Sequence, residues 1–235
     1  MTLDAATRVL FLHAHPDDET LATGALIAGL ADRGTEVAVV TATRGERGEV
    51  TDPGFSGDLV ALREGELAAA LAVLGVRHHA FLGTPPARSG GVRRYTDSGM
   101  VWVTPQVAGP GAGAGPDSLT AASVDEAAAD LAAYIEWFRP DVLVSYDEFG
   151  GYGHPDHVAC HHIAVAAAEF TGVRFAEVVS GATQPTLDQY RGRVAEALGC
   201  YASQLRVDGD EVEHVGGQRH PLPTVAALRE RSSRD

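Results

Sequence analysis

Val9-Leu10-Phe11-Leu12 runs through His13 into Ala14-His15-Pro16-Asp17-Asp18-Glu19. An apolar run bounded by a proline turn reads as a short buried strand, here Arg8 to His13. Thr20 to Arg33 then carries Leu21, Ala25, Ile27, Ala28 and Leu30, which predicts a helix packed on a sheet. Gly34 follows as its C′ residue, where a left-handed backbone costs nothing. Glu36-Val-Ala-Val-Val-Thr41 is a second strand. Strand, helix and strand within about forty residues predict a right-handed βαβ unit with parallel strands.

The pattern repeats outward. Thr43 to Gly57 is rich in glycine and charge and reads as a loop. Asp58 to Leu74 predicts a helix with Leu59, Leu62, Leu67, Ala70, Leu71 and Leu74 on one face, ended by Gly75. Arg77 to Leu82 is a third strand. A long irregular stretch spans residues 84–119. Its Tyr95–Val103 part is expected to be ordered near a site, and 109–116 to behave as a flexible linker. Ser123-Val-Asp-Glu126 is a capping box that opens a helix to Phe138, and Pro140 stops it. Asp141 to Tyr146 is a fourth strand, His154-Pro155 opens a helix to about Phe170, and Val173 to Val179 is a fifth strand. Thr186 to Leu205 reads as a helix, and Val225 to Arg231 as a short helical end. The alternation predicts an α/β fold, with one Rossmann-like domain over residues 1–235. Its sheet is open and mostly parallel, with helices on both faces. In such a sheet the site lies outside the carboxyl ends of the strands.

Composition narrows the function. The 235 residues are 45% hydrophobic and 21% charged, ordinary for a globular protein. The net charge of −14 argues against a nucleic-acid partner, which needs a basic surface. All 18 basic residues are arginine, so Schiff-base and lysine-nucleophile chemistry is excluded. No signal-like opening and no membrane-length apolar run is present, and Cys160 and Cys200 read as reduced thiols, so a cytoplasmic location is expected.

The chemistry-bearing residues cluster after two strands. His15, Asp17 and Asp18 follow the first, and Gly153-His154-Pro155-Asp156-His157 follows the fourth. One His-Pro-Asp alone reads as a turn with a capping aspartate. Two such blocks at the ends of parallel strands point to a shared metal site. A catalytic zinc takes three nitrogen or oxygen ligands and leaves one position open. His15, one of Asp17 and Asp18, and a histidine of 154–157 would supply that set. The remaining aspartate would be a general base, and the second histidine a donor to a developing oxyanion. A two-His, one-carboxylate site suits iron(II) as well as zinc. His13, His78 and His79 read as core or sheet-end histidines, His161 and His162 as exposed, and Cys160 as packed. Glu19 reads as a helix cap or a residue that orients a ligand.

Ala14-His-Pro-Asp-Asp-Glu19, with Gly150-Gly-Tyr-Gly-His-Pro-Asp-His157, resembles the PIG-L/LmbE-like family of zinc-dependent N-acetylglucosamine deacetylases. The resemblance runs from about Val9 to His162 and fades after Glu169. Thr43-Arg-Gly-Glu-Arg-Gly-Glu-Val50, Leu62-Arg63 and Tyr95-Thr-Asp-Ser-Gly-Met100 look most like its mycothiol-pathway branch, which deacetylates N-acetylglucosaminyl-inositol. The resemblance implies an LmbE-like fold and His15, Asp18 and His157 as zinc ligands. It implies Asp17 as general base, His154 as stabiliser of the tetrahedral intermediate, and Asp156 as the residue orienting His154. Arg63, Asp97 and Tyr152 match substrate-contacting positions, although Arg63 also reads as a surface partner of Glu64 or Glu66.

The expectation is a metal-dependent N-deacetylase acting on a small amino sugar, with a homo-oligomer compatible with the sequence. Two other readings stand beside it. One is an amidase for a mycothiol S-conjugate or a secondary-metabolite acetamide. The other is a non-catalytic sugar-binding module.

Overall fold

In the computed structural model, which describes residues 3–104, 106–111, 114–179 and 186–231, the elements follow the predicted alternation. Strand β1 (Arg8–His13) leads into α1 (Asp18–Asp32), β2 (Glu36–Thr41), α2 (Leu59–Leu74) and β3 (His78–Phe81). A hairpin of β4 (Met100–Thr104) and β5 (Val107–Pro110) precedes α3 (Val124–Phe138) and β6 (Val142–Tyr146). A single turn, α4 (Gly150–Gly153), then meets α5 (Pro155–Thr171), β7 (Arg174–Val179) and α6 (Arg191–Gly199). Strands β8 (Leu205–Asp208), β9 (Glu211–His214) and β10 (Arg219–Pro221) form a small antiparallel sheet before β11 (Ala227–Glu230).

The main sheet runs β11-β7-β6-β1-β2-β3. All neighbours are parallel except β11, which lies antiparallel on β7. β1 is fully paired with β2 from Arg8↔Glu36 to His13↔Thr41 and meets β6 on its other side. Chain order therefore reverses between β1 and β6, and the loops leaving these two strands diverge around a crevice.

The alternation along β1 sends Leu10 and Leu12 to one face and Val9 and Phe11 to the other. The first pair packs with Leu131, Tyr134 and Phe138 of α3 and Ile163 of α5. The second packs with Ile27 of α1, Leu67 and Leu71 of α2 and Leu198 of α6. Each such buried side chain stabilises the fold by roughly 1.5–3 kcal/mol relative to exposure. Helix ends follow local chemistry. The Asp58 carboxylate accepts from the Val60 and Ala61 amides, Ser123 Oγ accepts from the Glu126 amide, and Gly75 closes α2 with φ 84°.

The structure corrects the sequence reading at the carboxyl end. Residues 186–205 hold a 3-10 turn and the nine-residue α6, not one helix, and β8 begins at Leu205. The expected terminal helix is strand β11, fixed by Arg229 against the buried Glu177 at 2.6 Å. Gly109 and Pro110, assigned to a linker, lie in β5, while residues 112 and 113 fall outside the described set. Among the described residues both cysteines are free, and no helix is long and apolar enough to cross a membrane.

Candidate metal centre

The crevice between β1 and β6 is the floor of a cavity of about 1260 Å³. His15, Asp17, Asp18, Arg63, Asp97, Tyr152, His154 and His157 all line it. The two His/Asp blocks, 139 residues apart from His15 to His154, are thus brought together as predicted, with Asp97 beside His15. Gly150, with φ 62°, allows the close approach, because a Cβ there would lie 2.9 Å from His157 Cβ.

Two ring nitrogens face one carboxylate oxygen. Asp18 Oδ2 lies 3.1 Å from His15 Nδ1 and 3.2 Å from His157 Nε2, and it accepts from the His15 amide at 2.9 Å. His157 Nδ1 donates to the Gly150 carbonyl at 3.2 Å, because that oxygen only accepts. Its buried Nε2 therefore carries the lone pair, faces a carboxylate and has no hydrogen-bond partner among the described residues. His15 Nε2 lies 3.1 Å from Asp156 Oδ2, which leaves Nδ1 as the free face of that ring once a cation sits beside it. Ligand atoms around a tetrahedral zinc lie about 3.3 Å apart, close to these separations. An orphaned nitrogen against a carboxylate fits a cation between them. Without one, burial would depress His15, but Asp97, Asp156 and Asp18 outweigh it and hold the imidazolium well above the usual range.

Among the described residues, the groups whose donor atoms all lie within 4.8 Å of one another are His15, His154 and His157, and His15, Asp97, His154 and Asp156. The hydrogen bonds separate the roles. His154 caps α5, with its Nδ1 accepting from the Asp156 amide at 3.1 Å. Its proton is then on Nε2, and the ring offers the cavity a donor, not a lone pair. Burial, with His15 and His157 nearby, lowers His154 to about 3, so it is neutral.

Asp17, at the head of α1, has φ 106°, a strained value for a residue with a side chain. Burial raises its carboxyl to about 7, opposed by the Arg63 guanidinium. Arg63 is buried and bonds to Pro16 O at 2.6 Å, Asp17 Oδ2 at 3.1 Å and Gly45 O at 3.0 Å. The surface pairing with Glu64 or Glu66 is not formed. Glu64 pairs with Arg44, and Glu66 takes Ser203. Asp97 accepts from the Gly99 and Arg47 amides and lies 3.6 Å from His15 Nε2. Tyr152 stacks on Trp102 at 5.7 Å and sets its edge against His157 at 5.1 Å.

Several placements differ from expectation. The Asp156 carboxylate faces His15 and Ser98, not the His154 ring, which it reaches only through its own amide. His161 is buried, bonding Tyr146 O at 3.1 Å, with Glu177 of β7 at 3.7 Å and Arg231 at 3.4 Å packed against its ring. Glu19 does cap. Its Oε2 accepts from the Asp17 amide at 3.2 Å, and Oε1 takes Tyr201 Oη at 2.6 Å. Tyr146, stacked on His157 at 4.1 Å, and Ser98 went unseen in the sequence. Tyr146 closes a strand already read as core, and Ser98 sits in a loop with no periodicity.

Residues 10–168 match the family described as PIG-L: GlcNAc-PI de-N-acetylase. The chain belongs to this family. The PIG-L-type chain is 48% identical over 227 residues to a protein of Kineococcus radiotolerans named 1D-myo-inositol 2-acetamido-2-deoxy-alpha-D-glucopyranoside deacetylase, covering 95% of this chain and 62% of that one. It is 40% identical to a protein of the same name from Kribbella flavida, covering 89% and 69%. The similarity thus continues past Glu169, where the sequence reading let it fade. The chain spans 62%, 59% and 52% of three such relatives. Among solved structures, it resembles an N,N'-diacetylchitobiose deacetylase from Pyrococcus horikoshii at TM-score 0.59 and 21% identity, covering 85% of this chain and 73% of that one. It also resembles a zinc-inhibited form of teicoplanin deacetylase at TM-score 0.56 and 25% identity, covering 83% and 84%. These likenesses agree with the mostly parallel α/β fold of the PIG-L-type chain.

Proposed function

We propose that residues 1–235 act as one catalytic domain, a metal-dependent hydrolase that removes the acetyl group from an N-acetylglucosamine conjugate, N-acetylglucosaminyl-inositol in particular. The observation that carries this reading is the orphaned His157 Nε2, aimed at the Asp18 oxygen that His15 Nδ1 also faces. The relatives' names supply the substrate class. His15, Asp18 and His157 would hold zinc, and iron(II) fits the same donors. Bound there, the ion would act as a Lewis acid that polarises the acyl carbonyl and acidifies water.

The remaining steps belong to side chains. Asp17, near 7, takes a proton from the attacking water and returns it to the departing nitrogen, so that the amide and water become acetate and amine. Neutral His154 donates from Nε2 to the oxygen that gains charge. Asp156 fixes His15 through Nε2. Arg63 holds the Asp17 loop, and Arg63, Asp97 and Tyr152, which line the cavity, contact the sugar. We place the protein in the cytoplasm, with a small amino sugar as its partner and self-association compatible with its acidic surface.

Acetate release from N-acetylglucosaminyl-inositol, with and without added zinc and beside free N-acetylglucosamine, tests the reading. Zinc-dependent turnover favouring the conjugate is expected. Absence of release from metal-loaded protein would overturn it and favour a sugar-binding module. The cavity of about 1260 Å³ exceeds the roughly 300–1,000 Å³ of ordinary small-molecule sites. That supports, as a second reading, a bulkier amide such as a mycothiol S-conjugate, which the same assay separates.

A further inference from the structure

The wall of the cavity formed by the β9–β10 hairpin carries two histidines with no part in the chemistry above. His214 ends β9, and its amide donates to Gln218 O at 2.9 Å. His220 lies on β10, in register with Val212. Val212 and His214 share one face of β9, so the two imidazoles are diagonal neighbours on that face. Their Nε2 atoms are 2.8 Å apart and their ring centroids 5.0 Å apart. Both rings line the cavity, and both are partly buried.

The hydrogen bonds fix the protons. His220 Nδ1 lies 3.0 Å from the Pro221 carbonyl, which only accepts, so Nδ1 carries the proton and Nε2 the lone pair. His214 Nε2 then donates to it. Moving that one proton from Nε2 to Nδ1 of His214 leaves two lone pairs side by side, with no net proton lost. Metal-binding histidines commonly hold the distal N–H on a carbonyl, as His220 does. The carboxylates nearby are engaged elsewhere. Arg219 pairs with Asp208 and Glu211, and Arg206 with Glu213. Burial and His220 lower His214, so its ring offers a neutral nitrogen, which suits a transition metal better than an anion.

We propose that His214 and His220 form a second binding site, distinct from the His15–Asp18–His157 centre, for an exchangeable divalent transition-metal ion of the zinc class. Two imidazoles fill two positions, and cavity water completes the shell. The site is accordingly weaker than the three-ligand centre. Its ion would face the same cavity. The inference does not depend on acyl hydrolysis, because metal binding itself reads it out.

Chelator-stripped protein titrated with zinc chloride by calorimetry tests it, with bound metal counted after gel filtration. Two classes of site are expected. His220→Ala should weaken the second class by more than about tenfold while sparing the first, since losing a direct ligand costs at least as much as losing an outer partner. His157→Ala should lose the first class and keep the second. His220→Gln serves if His220→Ala fails to fold, with circular dichroism as the check. A single class in the unmodified protein, a second class unmoved in His220→Ala, or loss of both classes in His157→Ala would each overturn the proposal.

Discussion

Arg63 Nη2 sits 2.6 Å from the Pro16 carbonyl and 3.1 Å from Asp17 Oδ2, so one guanidinium holds both the backbone and the side chain of the loop that presents Asp17. The fork also reaches Gly45 O at 3.0 Å and is buried. Lysine offers no planar fork to span three acceptors. Arg63→Lys is therefore expected to lower kcat by about a hundredfold, the scale of a small misplacement of a catalytic group. Metal content should stay unchanged. Steady-state kinetics beside metal analysis decides it, and a variant with unaltered kcat would refute the bracing role.

Asp17→Ala should keep its metal, since Asp18 supplies the converging oxygen. Turnover should fall by roughly 10²–10⁴, the contribution of a placed proton acceptor. Loss of metal in this variant would show that the two aspartates have been assigned the wrong way round.

Removal of the ion should be visible in thermal unfolding. Zinc at a hundred times its Kd stabilises by about 2.7 kcal/mol, which a chelator takes away. His157→Ala lacks the orphaned nitrogen, and its melting temperature should respond far less to zinc or to chelator. Differential scanning fluorimetry is sufficient, and an undiminished zinc response would count against His157 as a ligand.

Glu19 and Tyr201 are both fully buried, and the phenol donates to the carboxylate at 2.6 Å. Tyr201→Phe leaves a buried acceptor short of one donor, which costs about 1–3 kcal/mol. Urea unfolding should show that loss, and a midpoint equal to the unmodified protein's would remove Tyr201 from the support of the Asp17 loop.

His161 gives a pH dependence with a definite sign. Burial lowers it below the usual 6.5, against the Tyr146 carbonyl and Glu177, so it is neutral in the fold at pH 7. Below 6.5 the unfolded chain binds the proton first. The stabilisation is complete above 6.5 and is lost as the pH falls from there towards the folded value. Relative to His161→Gln, the unmodified protein should lose stability on acidification through that window. Parallel slopes would disprove it.

The βαβ opening was legible because β1 and β2 are buried and apolar over Val9–Leu12 and Val37–Val40, and because Asp58, Gly75 and Ser123 mark helix ends by local chemistry. The carboxyl-terminal strands were not. Glu211-Val-Glu-His214 buries only Val212, which gives too little contrast for a period of two. Between Thr186 and Leu205 the apolar spacing is helical, yet the chain turns after Gly199, and Tyr201 drops onto Glu19, a contact between residues 182 apart. The site shows the same division. His15, Asp18, His154 and His157 stand in two short blocks. Their supports, Ser98, Tyr146 and Tyr201, come from segments far apart in the chain that only the folded structure brings together.

The reversal of chain order between β1 and β6 means that the protein cannot be halved. Cut before β6, the amino-terminal piece keeps His15 and Asp18 but no His157; the other piece keeps the histidine without the Asp18 oxygen it faces. Neither fragment inherits a weaker version of the centre. The proposed metal site would come into being only when the two inner strands meet, so a cation bound there would act as a clasp between the first and last thirds of the fold.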